Sequence, residues 1–221
     1  MMKEENPQSK QFWDGVWNEE WDRDFWKRVA PEIVELIQSQ TPSRRPEVLD
    51  LGCGLGRNAV AFAQAGFSVT ATDLSTAAIA HLREWATQLD LPMRTLVCDF
   101  TRVVFPPESF DIAISVNVLY HSYQEQLARA VDNVQNWLKK GGIFYFTCPT
   151  REDGDYGKGI ERAPHTFEME PGHMHYCADE SDLDRWLAGF DLLSRKKRDH
   201  HWNEEGIPRF SSRWQVLAEK S

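Results

Sequence analysis

A chain of 221 residues, 41% hydrophobic and 27% charged, has the length and composition of a soluble globule with one core; its net charge of −9 disfavours a nucleic-acid partner, because holding a phosphate backbone takes a basic face. No run approaches the ~18 apolar residues of a membrane span, and the start, Met-Met-Lys-Glu-Glu-Asn-Pro, lacks the apolar stretch of a signal peptide. Cys53, Cys98, Cys148 and Cys177 are widely spaced, and three of them fall in or just after predicted strands, so buried thiols in a reducing cytoplasm are expected.

In chain order, the first signal is aromatic. Trp13, Trp17, Trp21 and Phe25 recur every four residues, a slowly spiralling stripe on a helix. Such a stripe packs the helix onto the domain, and its inner end, Trp13 or Trp17, is placed to cover a ligand; residues 1–40 are read as a helical lid region. The apolar pair Val48–Leu49 then leads into Asp-Leu-Gly-Cys-Gly-Leu-Gly, Asp50 to Gly56, and a helix over Arg57–Ala65. Strand, glycine turn and helix bring backbone N–H groups against a nucleotide-like ligand. The next strand begins at Phe67 and ends at Asp73, 23 positions after Asp50, where a carboxylate can accept from a ribose diol.

Ser75 is placed to cap a helix running to about Leu89, through Ile79, Leu82 and Ala86. Pro92 ends it; Met93–Cys98 reads as a third strand finishing at Asp99, and Phe110–Val116 as a fourth, apolar on both faces but for Asp111. Gln124–Leu138 is an amphipathic helix with a stop over Lys139, Lys140, Gly141 and Gly142, and Ile143–Cys148 is a fifth strand closed by Pro149. Residues 149–177 hold four glycines, three prolines and three histidines without a period, and read as a long loop over the site. Asp179 caps a short helix to Leu187, and Phe190–Arg198 and Arg213–Glu219 read as a final antiparallel pair, with Arg195–Arg198 a solvated edge. The whole, residues 1–221, is expected to be a single α/β domain: a Rossmann-like, doubly wound, seven-stranded, mostly parallel sheet with one antiparallel strand and helices on both faces. Its rim would carry Asp50, Asp73, Asp99 and Asn117.

The pattern Gly52-x-Gly54-x-Gly56 is not the dinucleotide G-x-G-x-x-G, whose third glycine would fall at Arg57, and no Lys-Ser/Thr makes a P-loop. An acid inside the turn repels phosphate and favours an amine or sulfonium. In order and spacing, VLDLGCGLGRN, TATDLS, VCDF and FDIAISVNVLYH resemble the successive motifs of class I S-adenosylmethionine-dependent methyltransferases over residues 45–148. The Gly-Arg-Asn after the turn is similar to the small tellurite-resistance-like and thiol-methylating branches.

The resemblance implies S-adenosylmethionine as cofactor. Asp50 and the backbone of Gly52, Cys53 and Gly54 would face its methionine end, with Gly56 also in the cofactor site; Asp73 would hold its ribose hydroxyls and Leu74 would lie against its adenine. Asp99 would accept from the adenine amino group, Phe100 would donate a backbone N–H to the ring, and Asn117 would face the transfer centre. Methyl transfer by in-line displacement then needs mainly alignment and exclusion of water. His121, beside Tyr120, is the best-placed candidate for a general base, although a structural histidine at a strand-to-helix turn is the slightly favoured reading. His175 and Tyr176 are expected to line the acceptor pocket or pin the loop. His165, His173, His175, His200 and His201 invite a metal, but no cysteine or carboxylate completes a ligand spacing, so none is assigned.

The expected acceptor is a small molecule, with no nucleic-acid or membrane partner. Asn117-Val-Leu-Tyr lacks the prolines of base and amide methylases, and Thr147-Cys148 lacks the companion Pro-Cys of RNA cytosine enzymes. The alternatives are a non-catalytic or regulatory S-adenosylmethionine-binding protein, a protein or RNA acceptor, and a nicotinamide oxidoreductase, the last disfavoured by the glycine spacing. Residues 1–30, 149–177 and 199–212, where the match fades, should choose among thiol, metalloid, amine and carboxylate acceptors.

Overall fold

The computed structural model describes residues 7–19, 23–40, 45–204 and 206–221. Three helices come first, α1 (Pro7–Asn18), α2 (Arg23–Trp26) and α3 (Pro31–Ser39). Strands and helices then alternate: β1 (Glu47–Leu51), α4 (Arg57–Gln64), β2 (Ser68–Asp73), α5 (Thr76–Gln88), β3 (Arg94–Val97), β4 (Phe110–Ser115), α6 (Gln124–Trp137) and β5 (Leu138–Pro149). The remainder holds β6 (Ile160–Ala163), β7 (Thr166–Glu170), β8 (His173–Tyr176), α7 (Glu180–Trp186), β9 (Phe190–Glu204) and β10 (Ile207–Lys220).

The main sheet has seven strands in the order β3-β2-β1-β4-β5-β10-β9. Neighbours among β1 to β5 pair in parallel, and β10 pairs antiparallel with both β5 and β9, making it the one antiparallel strand. The order reverses between β1 and β4, the switch point outside which such sheets open a crevice. Alternation along the central strands explains the double winding. Val48, Ile112, Ile114 and Tyr145 pack with Ile33, Val60, Phe62, Ile79 and Leu82, so α3, α4 and α5 cover one face. Leu49, Ala113, Phe144 and Phe146 pack with Leu127, Val131, Val134, Leu183 and Trp186, so α6 and α7 cover the other. Each such side chain removed from water contributes about 1.5–3 kcal/mol, which holds the switch point rigid between two cores.

Local chemistry sets the helix starts that matter to the site. Ser75 caps α5 through Oγ, which accepts from the Ala78 N–H at 3.1 Å. At α6 the Gln126 side chain accepts the Tyr123 N–H at 3.1 Å, and at α7 Asp179 accepts from the Asp182 N–H at 3.0 Å.

Three segments differ from the sequence reading. Residues 149–177 are not all loop: β6, β7 and β8 form an antiparallel sheet of their own. Its strands are four or five residues long, too short for a period to show, and Pro164, Pro171 and Gly172 fall in its turns. β5 begins at Leu138, and Phe110 and Ile112 oppose Leu138 and Ile143, so Lys139–Gly142 bulge out of the ladder instead of preceding the strand. β9 and β10 run well past the expected Arg198 and Arg213 as one long hairpin.

Candidate active site

The glycine turn follows β1 and is held by the next strand. The N–H groups of Gly52 and Cys53 both donate to the Thr72 carbonyl at 2.8 Å. Gly52 has φ +80°, and a Cβ there would sit 2.2 Å from Val118 Cγ1. Gly54 has φ +54°, and its Cβ would meet Trp17 at 3.0 Å, so α1 lies directly on the turn. Only glycine satisfies both demands, the left-handed backbone and the close approach.

Asp73 ends β2 and organises the turn: Oδ2 accepts from the Gly54 N–H at 2.8 Å and Oδ1 from the Ser75 N–H at 2.9 Å. Burial raises its pKa, opposed by these two hydrogen bonds. Asp50 lies behind the turn, 2% exposed. Its Oδ2 is buried without a hydrogen-bond partner among the described residues. Burial first, then the neighbouring Asp73 charge, lift its pKa from 3.8 to about 7, opposed by Arg57. Asp99, after β3, turns back on its own loop, Oδ1 accepting from both the Thr101 N–H and the Thr101 hydroxyl. One end of the site is thus acidic, with Asp73 and Asp99 on the cavity wall and Asp50, with its orphaned oxygen, buried behind it.

A cavity of about 830 Å³ runs outward from this turn. Asp73, Leu74, Asp99 and Phe100 line one end; Trp13, Trp17, Asn117, Tyr120, His121 and His175 line the rest. Asn117 closes β4 with φ +60° and is fixed by Thr147, whose hydroxyl accepts the Asn117 N–H at 2.8 Å and donates to Oδ1 at 3.0 Å. Asparagine tolerates this left-handed geometry better than most residues, and sheet-end strain of this kind clusters at functional sites.

Three imidazoles meet at the far end. His121 Nδ1 lies 2.9 Å from the Met174 carbonyl, which only accepts, so Nδ1 carries the proton and Nε2 the lone pair. His173 and His175 approach through their Nε2 atoms at 2.9 Å. Burial, then the neighbouring rings, hold His121 well below its ordinary value; burial lowers His173 to about 4 and His175 to about 3. All three are neutral at pH 7 and weak as bases. Tyr120 is buried beneath them with the Arg213 guanidinium 4.9 Å over its ring, and burial holds its phenol protonated. Burial likewise raises the thiols of Cys53, Cys98, Cys148 and Cys177, so none is poised as a nucleophile.

The roof is α1. Phe12 stacks on His173 with centroids 4.4 Å apart, and Trp13 meets His121 edge-on at 4.7 Å. Asp14 anchors the helix: Oδ1 accepts from the Ser75 hydroxyl at 2.7 Å and from the Ala77 N–H at 3.3 Å. Of the expected aromatic stripe, Trp13 and Trp17 face the cavity, Trp21 lies outside the described residues, and nothing is described of the Phe25 side chain.

The structure brings Gly52, Cys53, Gly54, Asp73, Leu74, Asp99, Phe100, Asn117, Tyr120, His121, Trp13, Trp17 and His175 to one cavity wall. Tyr176 does not line the cavity: on the opposite side of β8 from His175, it is fully buried and pins its segment, donating its hydroxyl to Asp182 Oδ2 at 2.7 Å and its N–H to the Tyr120 carbonyl at 2.8 Å. Asp50 and Gly56 stand behind the wall, Gly56 because a Cβ would fall 2.2 Å from Leu82 Cδ1. Phe12 and Arg213 join the site unannounced. Phe12 sat outside the four-residue stripe, and Arg213 gave only the signal of an arginine opening an otherwise apolar alternation. His165, expected only as a metal possibility, pairs instead with the Tyr156 hydroxyl at 2.8 Å.

Residues 48–142 match a family described as a methyltransferase domain. The chain is 28% identical over 170 residues to the ubiquinone biosynthesis O-methyltransferase of Coxiella burnetii, covering 75% of this chain and 72% of that protein. It is 31% identical over 186 residues to the probable S-adenosyl-L-methionine-dependent methyltransferase TehB of Haemophilus influenzae, covering 76% of this chain and 63% of that protein. Its fold is similar to that of the 1,6-didemethyltoxoflavin-N1-methyltransferase of Burkholderia thailandensis, solved with its substrate and S-adenosylhomocysteine (TM-score 0.66, 20% identity, 90% of this chain and 82% of that one).

Proposed function

We propose that the chain is a class I S-adenosylmethionine-dependent methyltransferase, and that it transfers a methyl group to a small-molecule acceptor held beneath α1. The observation that carries this reading is the single cavity joining the acidic turn to the aromatic and imidazole end. Its volume of about 830 Å³ lies in the range of small-molecule sites, about 300–1,000 Å³. The enzymes named for ubiquinone biosynthesis and for didemethyltoxoflavin support a small acceptor.

The residues present fit the methyl donor. Asp50 keeps an unpaired carboxylate oxygen behind the turn where a cationic methionine end would lie, and Asp73 has lone pairs left for a ribose diol after serving Gly54 and Ser75. Asp99, Phe100 and Leu74 would hold the adenine, and Asn117, fixed by Thr147, would border the transfer centre. When bound, the donor supplies a methyl carbon already activated by its sulfonium leaving group.

The protein's share is then alignment and desolvation. Trp13 and Trp17 cover the cavity and keep water from competing as acceptor. Tyr120 and His121 set the acceptor's position, and the low basicity of His121 gives it an orienting role.

Isothermal titration with S-adenosylhomocysteine, followed by donor-consumption assays across thiol, phenol, amine and carboxylate acceptors, tests the proposal. Binding plus turnover of one class supports it. Absence of donor binding sinks it, and binding without turnover on any class favours a regulatory role.

A further inference from the structure

We propose that His121, His173 and His175 form a site for a divalent first-row transition-metal ion of the zinc type, which receives the acceptor through an anionic oxygen or sulfur. The inference rests on placing the acceptor at this end of the cavity and adds to that reading the acceptor's chemistry.

The geometry comes from two elements. His173 and His175 are separated by one residue on β8, so their rings project to the same side. His121, from the turn after β4, lies 52 residues earlier in the chain, which is why no local ligand spacing announced a third partner. One ring nitrogen from each histidine lies within 4.8 Å of the others. Tetrahedral coordination at about 2.05 Å separates ligand nitrogens by about 3.3 Å, so a small ring rotation closes the set. The two elements are locked in register: Met174, between the two strand histidines, accepts from His121, and the Tyr176 N–H donates to the Tyr120 carbonyl at 2.8 Å. The first of these bonds also fixes the His121 tautomer that leaves Nε2 free to coordinate, as carbonyls commonly do behind metal-binding imidazoles.

The rings are buried and face one another: the Nε2 atoms of His173 and His175 lie 2.9 Å apart, and His175 is only 6% exposed. Phe12 and Trp13 roof two of the rings and restrict water. Three protein ligands leave a fourth position for substrate, the arrangement of catalytic rather than structural zinc.

Such an ion answers a need of the reaction. An acceptor O–H or S–H must lose its proton before it can take a methyl group. Coordination lowers the acceptor's own pKa. Its proton leaves to solvent as the metal–oxygen or metal–sulfur bond forms, with no change of oxidation state. A tertiary amine or a simple ammonium would gain nothing from the site.

The test uses the full chain stripped with chelator, then titrated with Zn²⁺ and separately with Co²⁺, whose visible absorption reports tetrahedral coordination. One equivalent should bind. His173→Ala and the milder His173→Gln should each weaken it on the order of 100-fold with thermal midpoints unchanged. His165→Ala, outside the cluster, should leave it intact. No stoichiometric binding, or equal affinity in His121→Ala, His173→Gln and the unmodified chain, would overturn the metal site. S-adenosylhomocysteine affinity on the same samples separates the two readings: retained donor binding without metal refutes only the metal site, whereas lost donor binding in the unmodified chain refutes the methyltransferase placement itself.

Discussion

Asp50→Asn should make the ligand-free protein more stable and the donor complex weaker. Asp50 runs against the usual carboxylate behaviour: burial and the Asp73 charge raise its folded-state pKa from 3.8 to about 7. The folded chain therefore binds the proton more tightly than the unfolded one, and stability from this group is greatest below pH 3.8 and drains away as pH rises to about 7. Three pH units at about 1.4 kcal/mol each put the cost of the ionised form near 4 kcal/mol above pH 7. An asparagine removes that charge, but its amide meets the spot where Oδ2 finds no partner, at about 1–2 kcal/mol. The expected net gain is about 2–3 kcal/mol at pH 8 and about 0–1 kcal/mol at pH 5.5, where the folded chain keeps the proton and ionisation of the unfolded chain alone favours unfolding by about 2 kcal/mol. Urea unfolding followed by tryptophan fluorescence at both pH values measures the difference, and titration with S-adenosylhomocysteine should show a loss on the order of tenfold or more. A stability gain that does not change between pH 5.5 and 8, or a loss at pH 8, would refute the account of Asp50 as a buried charge waiting for a cation.

The other expectations follow from the same turn. Asp73→Ala strands the Gly54 and Ser75 N–H groups and removes a charged acceptor, so stability should fall by about 2 kcal/mol and donor affinity on the order of 100-fold; calorimetry giving unchanged affinity would misplace the ribose. Gly52→Ala should cost about 2–5 kcal/mol from left-handed strain plus the clash with Val118, and adding Val118→Ala should recover only the clash, about 1–3 kcal/mol, in denaturant titrations. Phe12→Ala removes the ring stacked on His173 while leaving the donor end untouched, so acceptor KM should rise severalfold at constant donor affinity; equal changes in both would mean that α1 acts only as scaffold.

The five parallel strands and their rim were legible because each strand carries its own evidence: apolar runs such as Phe110–Ser115 buried on both faces, ended by a polar residue at the switch-point side. Asp50 to Gly56 announced a turn that no side chain could fill, and the fold shows Val118, Trp17 and Leu82 occupying those spaces. Legibility failed where function depends on pairing between distant segments. β6 to β8 are too short for alternation to rise above their turns, so a small sheet read as a loop. Tyr176 looked like its neighbour His175, and only the strand's alternation sends one inward to Asp182 and the other to the cavity. His121 and His173 meet at 5.1 Å between centroids, a proximity made by the Met174 bond and invisible to residue spacing.

Helix α1 touches both halves of the cavity at once: Asp14 is fastened to Ser75 and Ala77 beside the donor turn, while Phe12 and Trp13 rest on the histidines. One rigid rod over two compartments gives donor and acceptor a common door. Freeing Asp14 from the α5 cap should therefore be felt at the histidines as well as at the glycine turn.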